Sequence, residues 1–218
     1  MITERIAKVR LNIKKACDLS GRSTDDVSLI CVTKEANSAQ ILDALGLGIS
    51  ELGENRVKDA LLKFKAIDDK ALWHMIGHLQ TNKVKDAVSM FSFIHSVDSL
   101  KLAQAINKCA EKINKKQDVL VEVNVSGEKT KFGVKQDSLA GLIDEMSNLN
   151  NIRLLGLMTV TPYTQNPDES RRYFSSLKKL ADNFGLKELS MGMSQDYGQA
   201  IQEGATMVRV GHAIFGED

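Results

Sequence analysis

From about residue 27 onward the chain alternates between two hydrophobic rhythms. Short apolar or β-branched runs fall at 27–33, 50–53, 73–77, 93–97, 119–125, 153–160, 188–192 and 207–211. Between them lie segments such as 38–47, 57–66, 99–113, 138–149 and 169–184, whose apolar residues recur at helical spacing. Strands that alternate with helices predict a parallel sheet built of βα units. Eight units predict a closed (β/α)₈ barrel, at a length near the low end for that fold. A doubly wound open sheet is the alternative. Ahead of the first strand, Ile2, Ile6, Val9 and Ile13 predict an amphipathic leading helix packed on the body.

Parity along the strands sorts candidate chemistry. In the fifth run Val119, Val121, Val123 and Val125 share one face, and Leu120, Glu122 and Asn124 the other. The valine face is expected to meet the helices, and the Glu122 face to point into the barrel near the site. In the first run Lys34 shares a face with Ile30 and Val32, opposite Leu29, Cys31 and Thr33. A lysine at the carboxyl end of a barrel strand sits where such folds place their chemistry, and burial there favours a neutral, nucleophilic amine. From the run alone, a solvated lysine at a strand end is the favoured reading. In the eighth run Met207, Arg209 and Gly211 are expected to face inward. An interior arginine needs an anion or an acceptor, supplied by a ligand or by a salt bridge, for example to Glu122.

The segment Ser190-Met-Gly-Met-Ser194 follows the seventh strand, and 195–203 reads as a short helix with Ser194 placed to cap it. Exposed N–H groups at such a start favour an anion, and the loops after strands seven and eight of barrels frequently hold phosphate. Gly192 and Gly211 would let backbone approach that phosphate closely. Asn55, after the second strand, is a helix cap, a ligand hydrogen-bonder or both. His74 and His78 invite a metal reading. On a strand they lie roughly 13 Å apart, too far to share one zinc, so no metal is expected. Gly46-Leu-Gly48 closes a helix, whereas a dinucleotide fingerprint follows a strand.

Composition narrows the classes further. The chain has 218 residues, 43% of them hydrophobic and 26% charged, with a net charge of +1. These values suit one globular domain over 1–218 and suggest neither a nucleic-acid binder nor a membrane-surface protein. Cys17, Cys31 and Cys109 are odd in number and lack CxxC spacing, as expected of reduced thiols in a cytoplasmic protein. The N-terminus has no signal-type apolar core, and no apolar run is long enough to span a bilayer.

An inward lysine on strand one, a phosphate cradle after strands seven and eight and an inward arginine on strand eight suggest one ligand carrying an aldehyde and a phosphate. Pyridoxal 5′-phosphate fits, with Lys34 forming a Schiff base. The chain resembles the pyridoxal-phosphate homeostasis protein family, related to the N-terminal barrel of alanine racemase. The matching stretches are Val32-Thr-Lys34, Gly53-Glu-Asn55, Trp73-His-Met-Ile-Gly-His-Leu-Gln-Thr-Asn-Lys83, Gly156-Leu-Met158, Ser190-Met-Gly-Met-Ser194, Met207-Val-Arg-Val-Gly211 and Ile214-Phe-Gly216. The resemblance implies a (β/α)₈ barrel binding the cofactor covalently at Lys34. It also implies phosphate contacts around Ser194, Gly211 and residue 212, and Arg209 at the pyridine nitrogen. His212 departs from the small hydroxyl residue usual in the family, although its backbone N–H can still bind phosphate.

An always-charged arginine disfavours a protonated ring nitrogen and so weakens the cofactor as an electron sink. Alanine racemase shares that arginine but takes a tyrosine base from a second, β-rich domain. With the chain stopping at Asp218, that domain is expected to be absent. The favoured expectation is therefore a monomeric protein that stores, buffers or delivers pyridoxal phosphate, with apo forms of enzymes that use it as partners. The alternatives are a weak or narrow amino-acid racemase, a Schiff-base aldolase acting on a sugar phosphate, and a partner-binding barrel with a relict site.

Overall fold

The computed structural model describes residues 1–67 and 70–216. Eight strands form the barrel: β1 (Ser28–Val32), β2 (Glu51–Glu54), β3 (Leu72–Met75), β4 (Phe93–Val97), β5 (Gln117–Glu122), β6 (Ile152–Met158), β7 (Glu188–Ser190) and β8 (Met207–Val210). The leading helix α1 is Ile2–Ser20. The others are α2 (Ser38–Gly46), α3 (Val57–Ile67), α4 (Val84–Met90), α5 (Leu100–Glu111), α6 (Leu139–Met146), α7 (Arg171–Asn183), α8 (Tyr197–Gln202) and α9 (His212–Phe215). Each strand runs parallel to its sequence neighbour, and β8 pairs with β1, with Ile30 opposite Arg209. Closure removes both sheet edges and rules out the doubly wound alternative.

The predicted faces explain why these segments fold this way. Val119, Val121, Val123 and Val125 pack into the layer between barrel and helices. Leu120 points inward, into a separate apolar plug with Ile30, Met158 and Met207. Side chains thus fill the barrel interior. Buried Ser190, His95, His74 and Arg209 share that interior with the apolar plug.

One inward assignment fails. The β5 ladder ends at Glu122, and beyond it the Val125 N–H donates to the Val123 carbonyl at 3.0 Å in a three-residue turn. Alternation lapses there. Asn124 braces its own loop, donating to the Glu128 carbonyl at 2.8 Å and accepting from the Gly127 N–H at 2.9 Å.

Helix α1 buries Ile6, Val9, Ile13, Ala16 and Cys17, while Ile2 is only partly covered. It ends at Gly21, whose left-handed φ of 66° lets the next N–H groups close the last carbonyls. Arg22 then donates to the carbonyls of Ile201 at 2.8 Å and Ala205 at 2.7 Å, holding the end of α8 from behind. The end of the leading helix is thereby tied to the turn between α8 and β8. Among the described residues no helix is long and apolar enough to cross a membrane. Cys17, Cys31 and Cys109 are free thiols. Burial pushes the Cys31 thiol up to about 12, far from reactive thiolate chemistry.

Ile6 is 2% exposed and Leu11, on the same helix, 52%. Ile6→Ala should cost about 2–5 kcal/mol in urea unfolding. Leu11→Ala should stay within about 0.5 kcal/mol of wild type. Equal effects would mean that α1 is not docked through this face.

Candidate functional site

A cavity of about 610 Å³ opens at the carboxyl ends of the strands. Lys34, Asn55, Ser194, Arg209, Gly211 and His212 all line it, so residues from four βα loops and the barrel interior converge as the sequence predicts. Their individual settings differ from expectation in instructive ways.

Lys34 lies in the turn just past β1. Its side chain is 48% exposed and pairs with Glu35 at 3.2 Å, so the expected burial of this amine does not occur. What is buried is the support beneath it. Glu54, wholly buried, accepts from the Thr33 hydroxyl at 2.6 Å and from the Lys63 ammonium at 2.6 Å. Lys63 also donates to the Thr33 carbonyl at 2.5 Å. This cluster ties the turn before Lys34 to β2 and α3. The motif Gly53-Glu-Asn55 drew attention to Asn55, but its central glutamate carries the structural load. Asn55 itself is exposed at the cavity wall.

Arg209 lies deeper and is 4% exposed. It donates to the Ser190 hydroxyl at 2.6 Å and to the Thr159 carbonyl at 2.8 Å. Among the described residues it forms no ion pair, so the salt bridge to Glu122 is not made. Burial pulls its pKa down to about 10 against the more distant pull of Glu122 and Asp196.

Ser194 does not cap a helix. Helix α8 begins at Tyr197, two residues later than expected, with Asp196 at its cap position. Instead the Ser194 hydroxyl accepts from the Ala213 N–H at 3.2 Å, joining the loop after β7 to the start of α9. Asp196 shapes the loop: it accepts from the Met193 N–H at 2.8 Å and from the Thr161 hydroxyl at 3.0 Å. Asp196, which the sequence did not single out, occupies the cap position without a capping hydrogen bond from its side chain. The N–H groups of Ser194, Gln195, Gly211 and His212 form no hydrogen bond among the described residues. The unpaired N–H groups of these two loops thus belong to backbone turns, not to a long helix start.

The two glycines have reasons other than ligand approach. Gly192 has a φ of +88°, and a Cβ there would come within 2.5 Å of the Ala200 Cβ. A Cβ at Gly211 would meet the Val32 carbonyl at 2.9 Å. Both let loop backbone pack tightly on its neighbours. His212 is exposed at the start of α9.

His74 and His78 part company, as alternation and a turn dictate. His74 is buried inside the barrel, its Nδ1 3.0 Å from His95 Nε2. His78 stacks on Phe132 at 4.0 Å between ring centroids and faces Asp98 at 3.5 Å.

Glu122, inward as expected, lines the cavity. Burial first, and Asp98 second, push its carboxyl up to about 7, while Arg209 and Lys131 oppose them. The folded chain thus binds this proton more tightly than the unfolded chain, so stability falls as pH rises from about 4.5 to about 7. Glu122→Gln removes that loss. Its stability relative to wild type should be greater at pH 8 than at pH 4, by up to about 3 kcal/mol. Denaturant unfolding at both pH values measures it, and a pH-independent difference would contradict a raised Glu122.

A closed barrel with a lysine at the rim, an arginine within and, among the described residues, unpaired N–H groups in the last two loops makes a site able to offer an amine and several hydrogen-bond donors to one ligand. The family model for the alanine racemase N-terminal domain matches residues 5–218. The chain belongs to that family, and within it to the pyridoxal phosphate homeostasis proteins. It is 45% identical to the pyridoxal phosphate homeostasis protein of Aquifex aeolicus, over 98% of this chain and 97% of that one. It is 39% identical to that of Pseudomonas aeruginosa, over 99% and 95%. Among solved structures, PipY of Synechococcus elongatus with pyridoxal phosphate bound superposes with a TM-score of 0.87 at 31% identity. That match covers 99% of this chain and 100% of PipY. Alanine racemase of Clostridium difficile shares the fold at 19% identity, with a TM-score of 0.70 over 96% of this chain and 56% of its own.

Proposed function

We propose that this cavity binds pyridoxal 5′-phosphate, with Lys34 holding the aldehyde covalently as a Schiff base, and that the protein stores, buffers or delivers the cofactor in the cytoplasm. The observation that carries the reading is a buried guanidinium without an ion pair, opening on the same cavity as a rim lysine. Each residue has a role that its surroundings support. Glu54 and Lys63 fix the turn from which the Lys34 amine reaches into the cavity. Arg209 offers N–H donors to a ring nitrogen. The Ser194 hydroxyl and the N–H groups of Ser194, Gln195, Gly211 and His212 hold phosphate, and the His212 side chain stands beside them. Asn55 offers an amide from the rim. The residues fit the group, and their relatives' names point the same way.

The bound cofactor supplies an electrophilic carbonyl and a ring able to withdraw electrons from an attached amine. Arg209 limits the second property, because a fixed positive charge at the ring nitrogen opposes its protonation. Lys34, half exposed, remains accessible to incoming amines, which gives the cofactor a route out. Recipients are apo-enzymes that use this cofactor, and the carrier acts as a monomer. A weak racemase is the second reading. Glu122, a carboxyl raised to about 7 in the cavity wall, favours it as a group able to exchange protons near neutral pH.

Phosphate recognition is tested by titrating pyridoxal 5′-phosphate and pyridoxal, which share the aldehyde. The phosphorylated form should bind roughly 100-fold more tightly, the worth of two or three charge-assisted hydrogen bonds. Ser194→Ala should lose about tenfold or less, since the backbone donors remain. Equal affinity for the two forms would refute the phosphate site.

Turnover is tested by incubating the loaded protein with alanine and serine in deuterated water, following α-deuterium and enantiomer ratio. Slow or absent exchange, with cofactor passing to an apo-enzyme, is the expected result. Rapid exchange abolished by Lys34→Ala and by Glu122→Gln would establish the racemase reading.

A further inference from the structure

A continuous polar chain crosses the barrel interior below the cavity. It starts at Arg209, which donates to the Ser190 hydroxyl at 2.6 Å. Ser190 Oγ lies 2.9 Å from His95 Nδ1, and His95 Nε2 lies 3.0 Å from His74 Nδ1. His74 Nε2 faces Glu51 Oε2 at 3.3 Å, in a geometry short of a well-aligned hydrogen bond. Ser190, His95 and His74 are wholly buried, whereas Glu51 keeps some exposure near the start of β2. Phe93 stacks on His74 at 4.8 Å between centroids, fixing the ring plane. These residues come from β8, β7, β4, β3 and β2, so no local motif announces them.

Donor bookkeeping gives the chain a direction. An arginine can only donate, so Ser190 Oγ accepts from it. The serine proton then needs an acceptor, and His95 Nδ1 is within reach. His95 must therefore carry its own proton on Nε2 and donate to His74 Nδ1. His74 in turn carries its proton on Nε2, aimed at the Glu51 carboxylate. The reverse direction would leave the buried Ser190 hydroxyl proton without an acceptor, a loss that interiors avoid. Burial above all, with the positive field of Arg209 adding to it, holds the His95 imidazole well below its ordinary pKa and hence neutral. Burial alone would raise Glu51, but His74 and Ser28 hold its carboxyl below the ordinary range, which keeps the acceptor end charged.

We propose that Ser190, His95, His74 and Glu51 are positioning residues that fix which N–H groups Arg209 turns toward the cavity, making the site select a ligand whose ring nitrogen is an unprotonated acceptor. Two of the five guanidinium N–H donors are engaged below, by Ser190 and by the Thr159 carbonyl. The remaining donors have fixed directions because the plane is held at two corners. A ligand lacking the ring nitrogen would leave a buried donor unpaired, which is how polar sites reject such analogues. The proposal rests on the reading that Arg209 meets the cofactor's ring nitrogen.

Two measurements test it separately from that reading. In the ligand-free protein, nitrogen-15 correlation spectra of the histidine rings at neutral pH should show His74 and His95 neutral with the proton on Nε2. A proton on His95 Nδ1 would overturn the relay whatever the cavity binds. With ligand, the affinity ratio between pyridoxal 5′-phosphate and its analogue with carbon in place of the ring nitrogen should be about tenfold or more in wild type. In Ser190→Ala and in His95→Phe that ratio should fall toward one, while the preference for pyridoxal 5′-phosphate over pyridoxal stays unchanged. Nitrogen discrimination retained in Ser190→Ala, which removes a single oxygen, would overturn the proposal even if His95→Phe fails to fold. A wild type that binds neither phosphate ligand would refute the cofactor reading instead, leaving the histidine tautomers to judge the relay.

Discussion

Arg209 sets the terms for the rest of this molecule. A guanidinium cannot lose its proton at ordinary pH, so a barrel that encloses one must supply acceptors or expose the group to something that does. Here the acceptors are a hydroxyl and a carbonyl, and carboxylates act only from a distance. That arrangement sets a polar run through Ser190, His95 and His74 beside Ile30, Leu120, Met158 and Met207, which pack against one another as a separate apolar cluster. It also explains a barrel layer built from serine and histidine in place of the branched aliphatics that usually fill such layers.

Around that charge, each loop contributes one task. The turn after β1 presents Lys34, and the Glu54–Lys63 pair makes the turn rigid from the helix side. The loops after β7 and β8 present backbone donors, with Asp196 and Ser194 spending their side chains on loop shape. Arg22, just past α1, braces the far end of α8 and the turn leading into β8. The site is thus braced at its backbone donors and open at its amine, as the proposed binding and release require.

Much of this was legible in the chain because parity is local. The alternation of Val119–Val125 against Leu120 and Glu122 assigned both faces of β5, and the same rule brought Lys34 and Arg209 to one mouth. Local reasoning failed where contacts between distant segments decide. Ser194 stands where a cap is expected, but its hydroxyl accepts from the Ala213 N–H across the barrel mouth, while α8 starts two residues later. Asn124 lost its inward place because the ladder stops at Glu122, three residues before the hydrophobic run ends at Val125. Burial of Lys34 could not be judged from β1 alone, since exposure depends on how far the turn rises above β2. The Arg209–Ser190–His95–His74 chain draws on four strands spread over 135 residues of sequence separation from His74 to Arg209, beyond the reach of any spacing rule.

The central claim is a covalent bond to one lysine, and chemical trapping addresses it most directly. The protein is loaded with pyridoxal 5′-phosphate, reduced with borohydride, weighed intact and digested for peptide mapping. The account predicts one adduct per chain, on the peptide containing Lys34, and none in Lys34→Ala. A full-occupancy adduct on another lysine, such as Lys63 or Lys131, or tight binding that leaves no adduct at all, would contradict it.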